Sequence, residues 1–326
     1  MYRHNLTVDS RHLFRGKGYS IISTLGLAVG MGVCLTIAQY IYVEWSYDTF
    51  HHQYQHMYQV MIEEEKVDSK DAAPYVGYAL GVQAQEELDE VEQYVRQGRF
   101  NRGAIVTNLL TKQVFYEEPN NLLLVDLSFF QVFNFLLIQG NPESLFTDKY
   151  SLVITEWTAL KLFGSDDPIG KRLTIRGPPS PGEYTVTGVI QEPPLNSPFQ
   201  FDYLFPMENY LEYGWGGAVK EQGGWSGFTV VTYLTLEESA DLAFVQEKLD
   251  QLLARYRETE MRQKVILQPI VAVYSKSGRY TDAGFLTTYG NEQSIQFFSI
   301  ISLFTLFISW INYINLRLGR CDEPKR

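Results

Sequence analysis

Residues 18–43 and 293–316 contain no charged side chain, and both runs are rich in apolar residues. No other feature restricts the fold as much. An α-helix rises about 1.5 Å per residue, so roughly 20 residues cross a hydrocarbon core about 30 Å thick. Both runs exceed that length. Mean hydropathy over the whole chain is only −0.16, so the apolar character is concentrated in these two places. The sequence therefore predicts two transmembrane helices with a large polar segment between them.

Flanking charge sets the orientation. Arg3, Arg11, Arg15 and Lys17 precede the first run, and Arg317, Arg320, Lys325 and Arg326 follow the second. The inner flanks carry Glu44, Asp48 and Glu292. Basic flanks stay inside, which predicts cytoplasmic termini and an extracytoplasmic middle. Tyr19, Tyr40, Tyr42, Trp45, Trp310 and Tyr313 suit the interfaces. The expected division is 1–17 cytoplasmic, 18–43 membrane, 44–292 extracytoplasmic, 293–316 membrane and 317–326 cytoplasmic. The first run is too long for a signal-peptide core of 7–15 residues and is followed by no small-x-small site, so it reads as an uncleaved anchor. Cys34 lacks the small residue that precedes a lipid-attached cysteine.

The first 43 residues carry a net +3 and those after 292 carry +2, which leaves −16 of the chain's net −11 on the middle segment. Such a domain is a poor ligand for nucleic acid or an anionic surface. It has no cysteine, since Cys34 and Cys321 lie outside it. At about 250 residues a hydrophobic core can hold it without disulfides.

Within the middle segment, Phe50, Tyr54, Met57 and Tyr58 fall at i, i+4, i+7 and i+8, predicting an amphipathic helix. Strands are expected at 60–67, 91–100, 103–108, 113–116, 122–125, 151–154, 172–175, 184–190, 199–205, 228–234 and 264–270. Helices are expected at 78–88, after a Ser128 cap, from a Thr155 cap to Gly164, and over the stripe Leu242, Val245, Leu249, Leu252 and Tyr256. The fold class is α+β, in two lobes, with no internal repeat.

Several segments in this order resemble a known family. They include Lys17-Gly18-Tyr19-Ser20, Leu25-Gly26-Leu27-Ala28-Val29-Gly30-Met31 and Glu44-Trp45-Ser46-Tyr47-Asp48-Thr49-Phe50-His51. Tyr58-Gln59-Val60, Ser128-Phe129-Phe130-Gln131-Val132-Phe133, Gly140-Asn141-Pro142-Glu143 and Phe163-Gly164-Ser165-Asp166-Asp167-Pro168-Ile169-Gly170-Lys171 continue the series. Tyr184-Thr185-Val186-Thr187-Gly188-Val189 and Ile311-Asn312-Tyr313-Ile314-Asn315-Leu316 complete it. The chain resembles FtsX-like ABC transporter permeases with a MacB-like periplasmic core domain. The resemblance implies two α/β subdomains between the first two membrane helices. It also implies a homo- or hetero-dimer of permease subunits, a separate ABC ATPase as partner, and export or envelope regulation in the bacterial inner membrane. Such permeases continue with further membrane helices, so a chain ending at Arg326 reads as a truncated product or one part of a split permease.

Catalysis finds little support. A phosphate loop needs four residues between its glycines and a Ser or Thr after the lysine. Five separate Gly164 from Gly170, and Arg172 follows Lys171. Any ATP hydrolysis is therefore expected in another chain. His52 and His56, at i and i+4 beside His51, are spaced for Zn²⁺, but no third ligand is fixed nearby, and they read as a solvated helix face. Glu63-Glu64-Glu65 reads as a solvated edge, with a cationic peptide as the alternative. No catalytic residue, cofactor or metal is expected. Gly26 and Gly30 form a small-x-x-x-small step, making them the candidates for close helix packing in lipid. The rival from another class is a two-helix sensor or scaffold whose outer domain binds a ligand or an envelope hydrolase.

Overall fold

The computed structural model describes residues 2–65, 70–212, 216–225, 230–256, 263–277, 286 and 288–321, with side chains from Thr24 to Ile314 apart from 65, 70 and 71 in the strands. Two compact units form. One contains α1 (Tyr2–Trp45) and the last helix, α8 (Glu292–Cys321); the other is Ser46–Asn291.

Thr24–Trp45 and Glu292–Ile314 are each long and apolar enough to cross a membrane, and only 11% of either span is buried within the protein. Leu35 and Leu303 are 67% and 69% exposed. Outward apolar side chains of this kind suit a hydrocarbon solvent rather than a water-excluding core. The helices pack antiparallel. Tyr40 meets Phe298 edge-on at 5.5 Å, and the Cys34 thiol donates to the Ser302 carbonyl at 3.4 Å.

The second unit opens with tight turns and enters β1 (Met57–Glu65), then the short strands β2 (Lys70–Ala73) and β3 (Tyr75–Val76). Helix α2 (Leu80–Glu87) leads to β4 (Val91–Gly98), the hairpin β5 (Ala104–Asn108) and β6 (Val114–Glu117), and β7 (Leu122–Val125). Next come α3 (Phe129–Val132), β8 (Leu137–Gly140), β9 (Ser151–Thr155), α4 (Glu156–Phe163), β10 (Arg172–Arg176), β11 (Gly182–Ile190) and β12 (Tyr203–Pro206). The chain returns through α5 (Gly216–Glu221), β13 (Val230–Leu236), α6 (Leu242–Tyr256), β14 (Gln263–Pro269) and α7 (Ile270–Lys276).

The described strands form one mixed sheet, with the path β14-β1-β13-β4-β7-β12-β9-β11-β10-β5-β6 and, off it, β2 beside β1, β3 beside β13 and β8 beside β11. Pairs β7–β12 and β9–β11 are parallel, and the other pairs are antiparallel. The sheet runs unbroken through the unit Ser46–Asn291, and β4–β7 is one of its narrowest joins. Only two residue pairs register there, Gln97 with Val125 and Gly98 with Leu124.

Strand alternation splits the core between two faces. Leu122, Leu124, Tyr203, Phe205, Val230 and Leu234 belong to one buried cluster, covered by Leu80 of α2, Leu162 of α4 and Val245 and Leu249 of α6. The intervening Leu123, Leu204, Val231 and Tyr233 point the other way. There they meet Phe129 and Val132 of α3, Ile270 and Val273 of α7, and Phe133, Phe135, Phe199 and Phe201. With both faces covered, β7, β9, β12 and β13 are buried at every residue. Each large side chain so buried contributes about 1.5–3 kcal/mol before chain entropy is charged against it.

Three local expectations need correction. The amphipathic helix expected from Phe50 to Tyr58 does not form. Turns and one 3-10 turn, Tyr54–His56, lead straight into β1 at Met57. The spacing of four arises because Phe50 and Tyr54 reach the aromatic cluster from turns. The strand expected at 199–205 pairs only from Tyr203, since Phe199 and Phe201 bend into that cluster. Ser128 precedes α3 but makes no side-chain cap; its hydroxyl donates to the Tyr94 carbonyl at 2.5 Å.

Thr155 does cap α4. Its Oγ1 accepts from the Thr158 amide at 3.3 Å, and Gly164, at φ +63°, ends the helix. Thr155→Ala would orphan a buried amide, so stability should fall by about 1–2 kcal/mol. The urea midpoint of the purified chain reads this, with the slope unchanged.

Candidate functional site

Residues 46–51 follow directly on α1 and form a sewn joint within the second unit. Asp48 adopts φ +56°, which an aspartate tolerates because its short side chain bonds locally. Its amide donates to the Asn196 carbonyl at 3.1 Å. In return, Asn196 Nδ2 donates to the Ser46 carbonyl at 2.9 Å and to Ser46 Oγ at 3.2 Å. Ser197 Oγ donates to Asp48 Oδ1 at 3.1 Å, and the Ser197 amide is held by the Pro194 carbonyl at 3.0 Å.

His51 closes the turn. Its Nδ1 accepts from the Asn134 amide at 3.1 Å, which places the neutral ring's proton on Nε2. Nε2 faces Asp48 Oδ1 at 3.8 Å, beyond hydrogen-bond reach. Asp48 Oδ2 has no hydrogen-bond partner among the described residues. The imidazole packs against Phe50, Phe133 and Phe135. In that apolar setting burial lowers the His51 pKa to about 3, with the nearby His52 adding to the effect. Burial likewise raises Asp48 well above the usual carboxylate range, partly opposed by the Ser197 hydroxyl. Neutral side chains are the favoured state of this joint.

The joint rests on a polar seam in the sheet. Tyr233 accepts from Gln59 Nε2 at 3.0 Å and meets Phe133 and Phe199 edge-on at 5.4 and 5.6 Å. Burial, and secondarily the Asp48 charge, raises the Tyr233 pKa well above 10. Arg99 Nη2 donates to the Gln200 carbonyl at 2.6 Å, and burial lowers its pKa to about 10.

The chain's return path meets the same joint. Tyr47 and the α7 residue Tyr274 lie face to face, ring centroids 3.4 Å apart and 2° from parallel. Behind Tyr274, Ser277 Oγ donates to its carbonyl at 2.6 Å, and the Gly290 amide reaches that carbonyl and Ser277 Oγ, both at 3.1 Å. The residues leaving α1 and those leading toward α8 are thus fastened together inside this unit.

The residues singled out in the sequence lie in different places. His51 is buried in the joint, His52 is exposed and His56 half-buried. Among the described residues, no group of three or more His, Cys, Asp or Glu side chains could hold a metal. Glu63 and Glu64 lie on β1, where Glu64 accepts from Gln263 Nε2 at 2.8 Å. Lys171 is turned to Asp166 at 2.9 Å. Gly26 faces Asn312, and a Cβ on Gly30 would overlap the Ser309 side chain. Asn196, Ser197, Tyr233 and Tyr274 were not singled out by sequence. The only local hint was the turn-forming run Pro193-Pro194-Leu195-Asn196-Ser197-Pro198.

An α+β domain inserted between two apolar helices and fastened at its entry and exit defines a membrane protein with a domain of the periplasmic type. Residues 20–252 match the family model described as the MacB-like periplasmic core domain, and the chain belongs to that family, found in ABC transporter permeases. Among solved structures, the chain is similar to a domain described as that of a permease protein from Porphyromonas gingivalis. That match has 21% identity and a TM-score of 0.57, and covers 68% of this chain and 92% of the other. The periplasmic region of MacB from Actinobacillus actinomycetemcomitans matches at 13% identity and TM-score 0.41, covering 63% and 87%. The extracellular domain of the noncanonic ABC-type transporter YknZ from Gram-positive bacteria matches at 14% and 0.43, covering 64% and 99%. No curated protein matches the chain.

Proposed function

We propose that this chain is a force-transmitting permease subunit. On this reading a separate ATPase drives its membrane helices, and the joint at residues 46–51 passes their displacement to the extracytoplasmic domain. Both termini are cytoplasmic, ATP is hydrolysed by the partner, and two permease subunits work together, while the Gly26–Gly30 step packs α1 against α8 of the same chain. The face-to-face contact of Tyr47 with Tyr274 carries the proposal, because it ties both ends of the domain to one point.

The test is purification of the full chain from its own membranes in mild detergent, with and without accompanying proteins. The isolated chain should hydrolyse no ATP, and the co-purified assembly should hydrolyse it. Nucleotide should also alter the protease sensitivity of the outer domain in the assembly. Tyr47→Ala should abolish that nucleotide response while most of the hydrolysis persists. ATPase activity in the isolated chain, or an unchanged response in the variant, would refute the reading.

A further inference from the structure

The loop that grips the residue after α1 carries the most exposed large apolar side chain described. Leu195 is 92% exposed. A single exposed leucine needs no explanation, but this one has company and a fixed position. The Leu136 carbonyl accepts from the Gln191 amide at 2.8 Å, and Leu136 is 63% exposed. The Trp157 amide donates to the Glu192 carboxylate, and Trp157 is 61% exposed. Three outward apolar side chains thus stand on residues belonging or bonded to the 191–195 segment.

Chain continuity locates that segment. Ser46 follows Trp45, the last residue of α1, and consecutive Cα atoms lie about 3.8 Å apart. Asn196 holds Ser46 by two hydrogen bonds and Asp48 by a third. Pro194 makes the loop stiff, its carbonyl accepting from the Ser197 amide at 3.0 Å and from Gln200 Nε2 at 3.2 Å. Leu195 is therefore fastened next to the point where the chain leaves its apolar span.

We propose that the 193–196 loop is a lipid-interface contact, with Leu195 inserted among the headgroups and upper acyl chains of the bilayer that holds α1. The inference rests on reading α1 as a membrane span. Apolar and indole side chains fit the interface, which is wet on one side and oily on the other. Residues 191–200 include no lysine or arginine, and Glu192 stands in the loop. The loop therefore matches zwitterionic phospholipid, and anionic lipid should not strengthen the contact.

Spin labels on the full chain, with Cys34→Ala and Cys321→Ser, test this in phosphatidylcholine vesicles. Labels are placed at Leu195→Cys, at Leu35→Cys on α1, and at Leu110→Cys in the β5–β6 turn, where the native leucines are 67% and 68% exposed at the latter two sites. Oxygen should relax the labels at 35 and 195 severalfold more than a water-soluble nickel chelate does, with the reverse at 110. A lipid-like signal at 35 with a water-like one at 195 overturns the loop contact alone. A water-like signal at 35 overturns the membrane span itself. If protection at 195 vanishes as protein is diluted in lipid, a second copy of the chain covers Leu195, and the proposal also fails. Equal protection at 110 fails it for want of specificity.

Discussion

Asp126→Ala should destabilise the outer domain by about 3–5 kcal/mol, the usual result of removing one partner from a buried ion pair. Arg96 lies on β4 and Asp126 just beyond β7, so the pair bridges the narrow seam between these two strands. Its geometry is bidentate, with Arg96 Nε donating to Oδ2 at 2.9 Å and Nη2 to Oδ1 at 2.7 Å. The Arg96 amide adds a third bond to Oδ2 at 2.8 Å. The side chains are only 8% and 13% exposed, so water cannot replace the lost carboxylate cheaply. The guanidinium also lies 4.0 Å from the Tyr78 ring centroid, which holds it in place after its partner has gone. A double substitution, Arg96→Met with Asp126→Ala, should recover much of the loss, because the orphaned charge goes too. Denaturant titration of the full chain in detergent reads both values. A single variant within about 0.5 kcal/mol of the parent, the range of ordinary surface changes, would mean that the seam does not depend on this pair.

Asp48→Asn should make the protein more stable at neutral pH. Burial raises the Asp48 pKa. Its favourable contribution is therefore complete below the ordinary value of 3.8 and is lost as pH rises through the elevated folded value. At neutral pH folding must hold that buried carboxyl protonated or ionise it out of water, and either costs stability relative to an exposed aspartate. Asparagine keeps the acceptor facing Ser197 Oγ and tolerates φ +56°, without the charge. His51 acts in the opposite sense. Its folded pKa near 3 lies below 6.5, so its contribution is complete above 6.5 and is lost as pH falls toward 3. Above 3.8 the falling aspartate slope and the rising histidine slope oppose each other in the wild type. The variant lacks the falling aspartate slope, so its stability advantage over wild type should grow as pH rises above the ordinary aspartate value. The melting temperature of a domain this size moves roughly 2–4 °C per kcal/mol, so the gain is measurable by thermal scans from pH 5 to 8. A lower melting temperature for the variant at pH 7.5 would contradict the buried-carboxylate account.

Much of the fold was legible because its signals are local. Of the α6 stripe Leu242, Val245, Leu249, Leu252 and Tyr256, the three central residues are buried as their spacing implies, while Leu242 and Tyr256 at the ends are exposed. The apolar run 122–125 reads as a strand, and the structure buries β7 throughout. The arginine-led 172–175 and tyrosine-led 184–190 pair antiparallel across a Gly-Pro turn, with Ile175 opposite Gly182. The errors arose where tertiary packing overruled period. Phe50 and Tyr54 mimic a helix face while serving the aromatic cluster from turns. The four-residue strands β2 and β8 and the seven-residue helix α7 are too short to impose a pattern of their own. The joint was least legible, because its partners are remote in sequence. Asp48 and Ser197 are 149 positions apart, and Ser46 and Asn196 are 150. The stretch 44–51 could be recognised as a family segment, but its sequence does not reveal which distant loop it grips.

The stacking of Tyr47 on Tyr274 also bears on modularity. A polypeptide that enters and leaves a folded body side by side can be spliced into a connection between two helices without spreading them, since the inserted mass adds almost no span to the link it interrupts. The domain is thus pre-adapted as an insertion cassette. Its native ends lie close enough that a short bridge could close them into a ring, with new termini opened at an exposed turn such as Leu110.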